Sequence, residues 1–122
     1  MRIRLTALAL AAAAVACGRT PETTVQVQGT VTAVGSGSAV RDAEVVIEWA
    51  RAVGGGGTTI HTDRAGRYAA RRTVRQKAIT CNGMTVNVRK RGFASVYNAY
   101  SDSACGADGI VTLDFKLIPL PQ

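Results

Sequence analysis

Apolar residues recur at every second position through most of the chain beyond residue 23. Val25, Val27 and Val31 alternate with Gln26, Gln28 and Thr30, and Ala43, Val45, Ile47 and Trp49 alternate with Glu44 and Glu48. Successive side chains of a strand point to opposite faces, so this spacing predicts strands with one dry and one wet side. The period returns at Met84, Val86 and Val88, and again at Val111, Leu113, Phe115 and Leu117. Thr58 to Thr62, Arg67 to Cys81 and Phe93 to Tyr100 complete the set of β-rich runs. Gly29 falls on the apolar face of the first strand, which predicts a bulge or the close approach of another backbone. Tyr68, Ala70 and Val74 share one parity whereas Ile79 and Cys81 share the other, so a bulge is expected between Arg71 and Lys77.

Turn signals separate the runs. Gly35-Ser36-Gly37-Ser38 closes the first, and Asp63-Arg64-Ala65-Gly66 combines a carboxylate that can bond its own downstream backbone with a glycine free to take positive φ. Four adjacent glycines, Gly54 to Gly57, lose so much backbone entropy on ordering that a flexible loop is expected. Asn82-Gly83 between two β-rich runs predicts a type I′ hairpin. About seven short strands with no helical period predict an all-β, antiparallel Greek-key sandwich of two sheets.

The N-terminal stretch has a different pattern. Arg2 and Arg4 precede an unbroken run of Leu, Ala, Thr and Val from Leu5 to Ala16, the pattern of a secretory signal peptide. It is too short to span a membrane. The expected organisation is a signal peptide at 1–16, a lipidated Cys17 with a short tether at 17–23, and a sandwich domain at 24–122. Ala14-Val15-Ala16 fits ordinary signal cleavage, while Ala14-Val15-Ala16-Cys17-Gly18 resembles a bacterial lipobox, with Ala14 where Leu is usual. That resemblance implies a lipid on Cys17 and hence a membrane anchor. Cysteine arithmetic favours it. Of the three cysteines, lipidation of Cys17 leaves Cys81 and Cys105 as an even pair in an oxidising compartment, where a disulfide persists. Such a bridge closes a loop of about 25 residues and adds roughly 3.5 kcal/mol. The expected location is the cell envelope, as an outer-membrane or cell-surface lipoprotein; the alternative is a soluble periplasmic or secreted protein with Cys17 as a thiol.

Loss of the leader removes two of the 15 basic side chains against 8 acidic ones and leaves a net charge of +5. A basic surface suits anionic partners. If successive strands alternate in direction, the N-terminus, the tetraglycine loop, Asn82-Gly83 and the Cys105 loop share one pole, which brings Cys81 and Cys105 together. The opposite pole gathers Arg41, Arg64, Arg67, Arg89, Lys90 and Arg91 as a possible partner patch. An anionic envelope polymer or protein is the expected partner besides the membrane, and no nucleic acid is expected.

Gln28-Gly29-Thr30-Val31-Thr32, Ala43-Glu44-Val45-Val46-Ile47, Thr62-Asp63-Arg64-Ala65-Gly66-Arg67-Tyr68, Arg91-Gly92-Phe93 and Leu113-Asp114-Phe115-Lys116-Leu117 resemble, in order, the carboxypeptidase regulatory-like domain. The resemblance covers roughly residues 25 to 117. Its most specific element is the turn motif of Thr62, Asp63, Gly66 and Tyr68, and it departs between Ala70 and Gly83, where a basic stretch and a cysteine lengthen the segment. It implies a transthyretin-like seven-stranded sandwich used as a noncatalytic accessory or adhesion module.

No catalytic residue, metal site or cofactor is expected. His61 is the one histidine. Related sandwiches that act as hydroxyisourate hydrolases carry a Tyr-Arg-Gly-Ser tail, whereas this chain ends Pro119-Leu120-Pro121-Gln122. Those that act as intradiol dioxygenases hold iron with two histidines and two tyrosines, and the second histidine is missing. Cys81 and Cys105 lack the tight paired spacing of a zinc site. Trp49 shares its parity with Val45 and Ile47 and is expected in the core. The expected function is a lipid-anchored, noncatalytic envelope binding or assembly module; the alternatives are a soluble structural or adhesion domain and a carbohydrate-binding module.

Overall fold

The computed structural model describes residues 21–75, 80–106 and 108–121. The expected leader, Cys17 and the first part of the tether lie outside them. The described residues form eight strands: β1 (Glu22–Ala33), β2 (Glu44–Glu48), β3 (Gly57–His61), β4 (Arg67–Arg75), β5 (Thr85–Arg89), β6 (Val96–Ala99), β7 (Ile110–Thr112) and β8 (Phe115–Leu117). They make two four-stranded sheets, one ordered β3-β2-β5-β6 and the other β4-β1-β7 with β8 also on β1. The expected all-β sandwich is the fold.

The final apolar run is one strand interrupted in its ladder. Val27 lies opposite Val111 and Val31 opposite Phe115, so β7 and β8 keep a single register along β1. Between them Asp114 turns its carboxylate onto the Thr30 N–H and hydroxyl, at 2.9 and 3.1 Å. The Leu113 carbonyl faces Gly29 so closely that a Cβ built there would sit 1.8 Å from it. Gly29 therefore marks a close backbone approach, one of the two features its position predicts. β7 and β8 run parallel to β1. The expectation of an antiparallel sandwich is corrected at this one pairing: with β7 and β8 as one interrupted seventh strand, first and last strands are both odd in an alternating path and point the same way where they meet.

Alternation places the core where the pattern predicts it. Val25, Val27, Val31, Val45, Ile47, Val86, Val88, Val111 and Leu117 are at most 1% exposed and pack between the sheets. Trp49 is buried, and Leu113 is half-buried against the same cluster. Burying one Val or Leu side chain contributes about 1.5–3 kcal/mol, so this shared interior is the principal stabilising term.

Local expectations meet tertiary demands at three places. Residues 71–75 carry no bulge: β4 pairs with β1 without interruption from Arg67 opposite Thr30 to Arg75 opposite Glu22, and Arg72 simply occupies an inward position. The rest of the expected bulge interval lies outside the described residues. Asn82-Gly83 does not close a hairpin, because β4 and β5 belong to different sheets. Instead the Met84 N–H bonds the Cys81 carbonyl at 3.0 Å, with Gly83 at φ 86° and no positive φ at Asn82, the pattern of a type II turn within an inter-sheet crossing. The glycine run takes a defined path. Gly54, Gly55 and Gly56 adopt φ of 101°, 60° and 76°, and Gly57 opens β3 opposite Glu48. Three successive left-handed residues reverse the chain tightly enough for the Trp49 N–H to reach the Gly56 carbonyl at 2.9 Å.

Candidate functional site

The strand directions divide the connections between two poles. At one, Cys81 and Cys105 form a disulfide with Cα atoms 5.8 Å apart. The bond ties the β4–β5 crossing to the β6–β7 crossing, the two segments that pass from sheet to sheet at this end. Asp102 reinforces it. Its Oδ1 accepts the Cys81 and Asn82 N–H groups, each at 3.2 Å, and the Thr80 hydroxyl. The Thr80 hydrogen bond holds the Asp102 carboxyl below its ordinary value against an opposing desolvation, helped by the Asn82 and Cys81 backbone donors.

A second tie at this cystine pole was hidden in the sequence. Arg72 turns inward from β4, stacks its guanidinium 5.3 Å from the Trp49 ring centre, and donates to the carbonyls of Val53 and Gly55. Trp49 in turn donates its indole N–H to Thr58 Oγ1 at 2.8 Å. The cation thus closes the mouth of the sandwich and fixes the glycine turn. The strict alternation of Tyr68, Ala70, Arg72 and Val74 was the signal that could have found it.

The opposite pole is built on the turn motif. Thr62 is buried; its hydroxyl donates to the Val40 carbonyl at 2.6 Å and accepts the Ala43 N–H at 2.8 Å, clamping the β1–β2 connection. Asp63 Oδ1 accepts the Ala65 and Arg67 N–H groups, both at 2.9 Å, as the sequence implies for a turn residue. Gly66 stands at φ 76° with the Val31 carbonyl 2.6 Å from where a Cβ would lie, so glycine is required twice over. Tyr68 points inward and donates to the Leu113 carbonyl at 2.5 Å; burial pushes its phenol far above the ordinary value, aided by Tyr100 and Asp114. The motif is thereby accounted for by architecture.

The basic side chains expected at this pole separate into groups. Arg41 and Lys90 line one open recess of about 510 Å³ with Asp42 and Phe93. Arg41 and Arg64 line a second, of about 400 Å³, with Asp42 and Asp63. Arg91 is exposed in the adjoining turn. Arg89 is ion-paired to Glu44 across β5 and β2, and Arg67 borders a groove of about 460 Å³ on the outer face of the other sheet, beside Asp63 and Asp114. Arg41, Arg64 and Lys90 therefore share these recesses with Arg91 exposed in a turn nearby, Arg89 is paired with Glu44, and Arg67 lies apart on the sheet face. The C-terminal segment closes this pole, with Ala94 N–H on the Ile118 carbonyl and Leu120 N–H on the Gly92 carbonyl, both at 2.9 Å.

His61 is exposed at the end of β3. Tyr100 lies at the cystine pole, its backbone bonded to Gly83 and Met84. Among the described residues no three His, Cys, Asp or Glu side chains are grouped to hold a metal ion, and no helix is long and apolar enough to cross a membrane.

No known family profile and no curated protein matches the sequence. Solved structures do. An L69A mutant of Acinetobacter radioresistens catechol 1,2 dioxygenase superposes with a TM-score of 0.60 at 14% identity, over 81% of this chain and 53% of that one. Chlorocatechol 1,2-dioxygenase from Pseudomonas putida gives 0.56 at 13% identity, over 80% and 60%. The C-terminal domain of the shaft pilin spaA from Lactobacillus rhamnosus GG reaches 0.45 at 9%, over 82% and 99%; at that level it carries no inference about this chain. The chain spans little more than half the length of the dioxygenases, and the likeness to them establishes the sandwich fold alone. The iron set expected of an intradiol dioxygenase does not fit these residues: the one histidine and Tyr100 lie at opposite poles, and the Tyr68 hydroxyl is taken by a carbonyl.

Proposed function

We propose that this chain is a noncatalytic binding or assembly module of the cell envelope, held to a membrane by lipid on Cys17 and offering its basic pole outward to an anionic partner. The observation that carries this reading is the opposition of the two poles. The N-terminal end of β1 pairs with the far end of β4 beside the cystine, whereas Arg41, Arg64, Lys90 and Arg91 emerge at the other end on backbone fixed by Thr62, Asp63 and Gly66. A tether of about five residues reaches only some 17 Å. The cystine end therefore faces the membrane and the basic end faces away.

The sandwich is an architecture that hosts many functions, so the reading rests on the two poles and not on the fold. The distant sequence resemblance to the carboxypeptidase regulatory-like domain agrees with an accessory role. Two measurements test the proposal. Mass spectrometry of the exported protein should find a diacylglyceryl-modified Cys17; an unmodified cysteine overturns the anchor. Alginate, an anionic polysaccharide, should retain the protein at low salt and release it as salt rises, and replacement of Arg64, Lys90 and Arg91 by Ser should abolish retention. Unchanged retention overturns the role of this pole.

A further inference from the structure

A different surface, independent of the basic pole, carries a second recognition feature. Among the described residues β4 is the terminal strand of its sheet. Antiparallel ladders alternate between residues that exchange backbone hydrogen bonds and residues whose N–H and C=O groups point away from the partner. The Val31 N–H bonds the Gly66 carbonyl at 2.8 Å, and this pair continues the register in which Thr30 faces Arg67. Counting on by twos, Tyr68, Ala70, Arg72 and Val74 bond toward β1, while Ala69, Arg71, Thr73 and Arg75 direct their backbone groups to the open edge. The other side of β1 agrees. Gln26 bonds Gly109 and Gln28 bonds Leu113, so these residues turn toward β7 and away from Arg71 and Ala69.

The same residues expose their side chains. Arg67, Arg71 and Arg75 stand on the outer face at four-residue intervals, about 13–14 Å apart, with small Ala69 and Thr73 between them. Arg71 and Arg75 lean on Gln26 and Glu22 at 3.0 and 3.8 Å, both through exposed contacts that leave the guanidinium groups accessible. We infer that the β4 edge from Ala69 to Arg75 takes up an extended acidic peptide segment as an added strand. Alternating backbone donors and acceptors match the repeat of a polypeptide, and carboxylates four residues apart on the added strand meet Arg71 and Arg75. A second copy of the chain is a poor occupant. Antiparallel pairing of β4 with itself sets Arg71 against Arg71 and Arg67 against Arg75 in one register and Arg71 against Arg75 in another; where Arg71 faces Thr73 instead, the arginine rows of both copies still share one face, and like charges repel.

The test uses the full chain and a blocked peptide, Ser-Val-Glu-Val-Thr-Val-Glu-Val-Ser, with amide hydrogen exchange followed by NMR. The peptide should slow exchange at Ala69, Arg71, Thr73 and Arg75. N-methylation of the peptide amides on one edge, or the double change Arg71→Glu and Arg75→Glu, should weaken binding about tenfold or more. Thr73→Pro removes an edge N–H without removing a backbone bond to β1, losing only the exposed hydroxyl contact with Thr24 at 2.8 Å, and should do likewise; retained amide dispersion in each variant reports folding. A peptide with Lys in place of Glu should bind the double variant better than the native chain. Equal binding of the N-methylated peptide overturns the inference, as does protection confined to the loops of the basic pole. Alginate slowing the same four amides as strongly as the peptide, or their protection by self-association of the chain alone, overturns it as well.

Discussion

The two poles of the sandwich use polar groups in opposite ways. At the cystine pole three polar ties fasten the loops, Cys81 on Cys105, Asp102 on the facing loop, and Arg72 on Trp49 and two carbonyls, while Glu22, Arg51 and Arg75 stay exposed. At the opposite pole a buried hydroxyl, one capping carboxylate and one glycine hold the loops, and Arg41, Arg64, Lys90 and Arg91 are left to solvent and the recesses. One end is fastened by its ions and its cystine, the other by backbone geometry that leaves the cations spare. Rigidity with free charge is what a binding surface needs, since little ordering entropy remains to be lost on contact.

Removal of the cystine separates the poles most strongly. Cys81→Ala with Cys105→Ala should lower stability by about 3.5 kcal/mol in urea unfolding, because the open chain regains the entropy of a long loop. Thr62→Val tests the other end. It leaves the Ala43 N–H and Val40 carbonyl buried without their partner and should cost about 2–3 kcal/mol, with exchange accelerated at Ala43. Arg72→Met retains bulk over Trp49 but loses the cation and its carbonyl bonds. A loss of about 1.5 kcal/mol and a shift in Trp49 fluorescence are expected.

Acid should distinguish the poles as well. The Asp102 carboxyl has a lower value in the folded protein than its ordinary 3.8, so the stability it contributes is complete above that value and is lost as pH falls through the folded one. Asp102→Asn should therefore be less stable than the native chain near neutrality, and the difference should vanish in strong acid; urea midpoints measured against pH follow this directly. The smallest effect on folding belongs to the free cations. Replacing Arg64, Lys90 and Arg91 by Ser should change stability by less than about 0.5 kcal/mol, as for other exposed sites, while removing salt-sensitive retention on alginate.

Period-two patterning was sufficient for the strands, the inward faces and the polarity of the connections, because burial on one side leaves a mark at every second residue. Tyr68, Ala70 and Val74 were legible in that way, and so was the meeting of Cys81 with Cys105. Arg72 was not, because a charge at an inward position reads as a break in the pattern until Trp49 and the glycine carbonyls are seen to receive it. Asn82-Gly83 misled for a related reason: a turn signal records local backbone preference, not which sheet the next strand will join.

The chain by itself determined the sandwich, its core and the pole at which each loop lies, since alternation, turn residues and strand count depend on local chemistry and parity. Tertiary structure alone decided the parallel meeting of β1 with β7 and β8 and the interrupted ladder at Leu113. It also decided which cations are neutralised and which edge of β4 is left open. Those features depend on pairing between segments far apart in sequence, where the energy of a contact belongs to two residues at once and neither carries a mark of it alone.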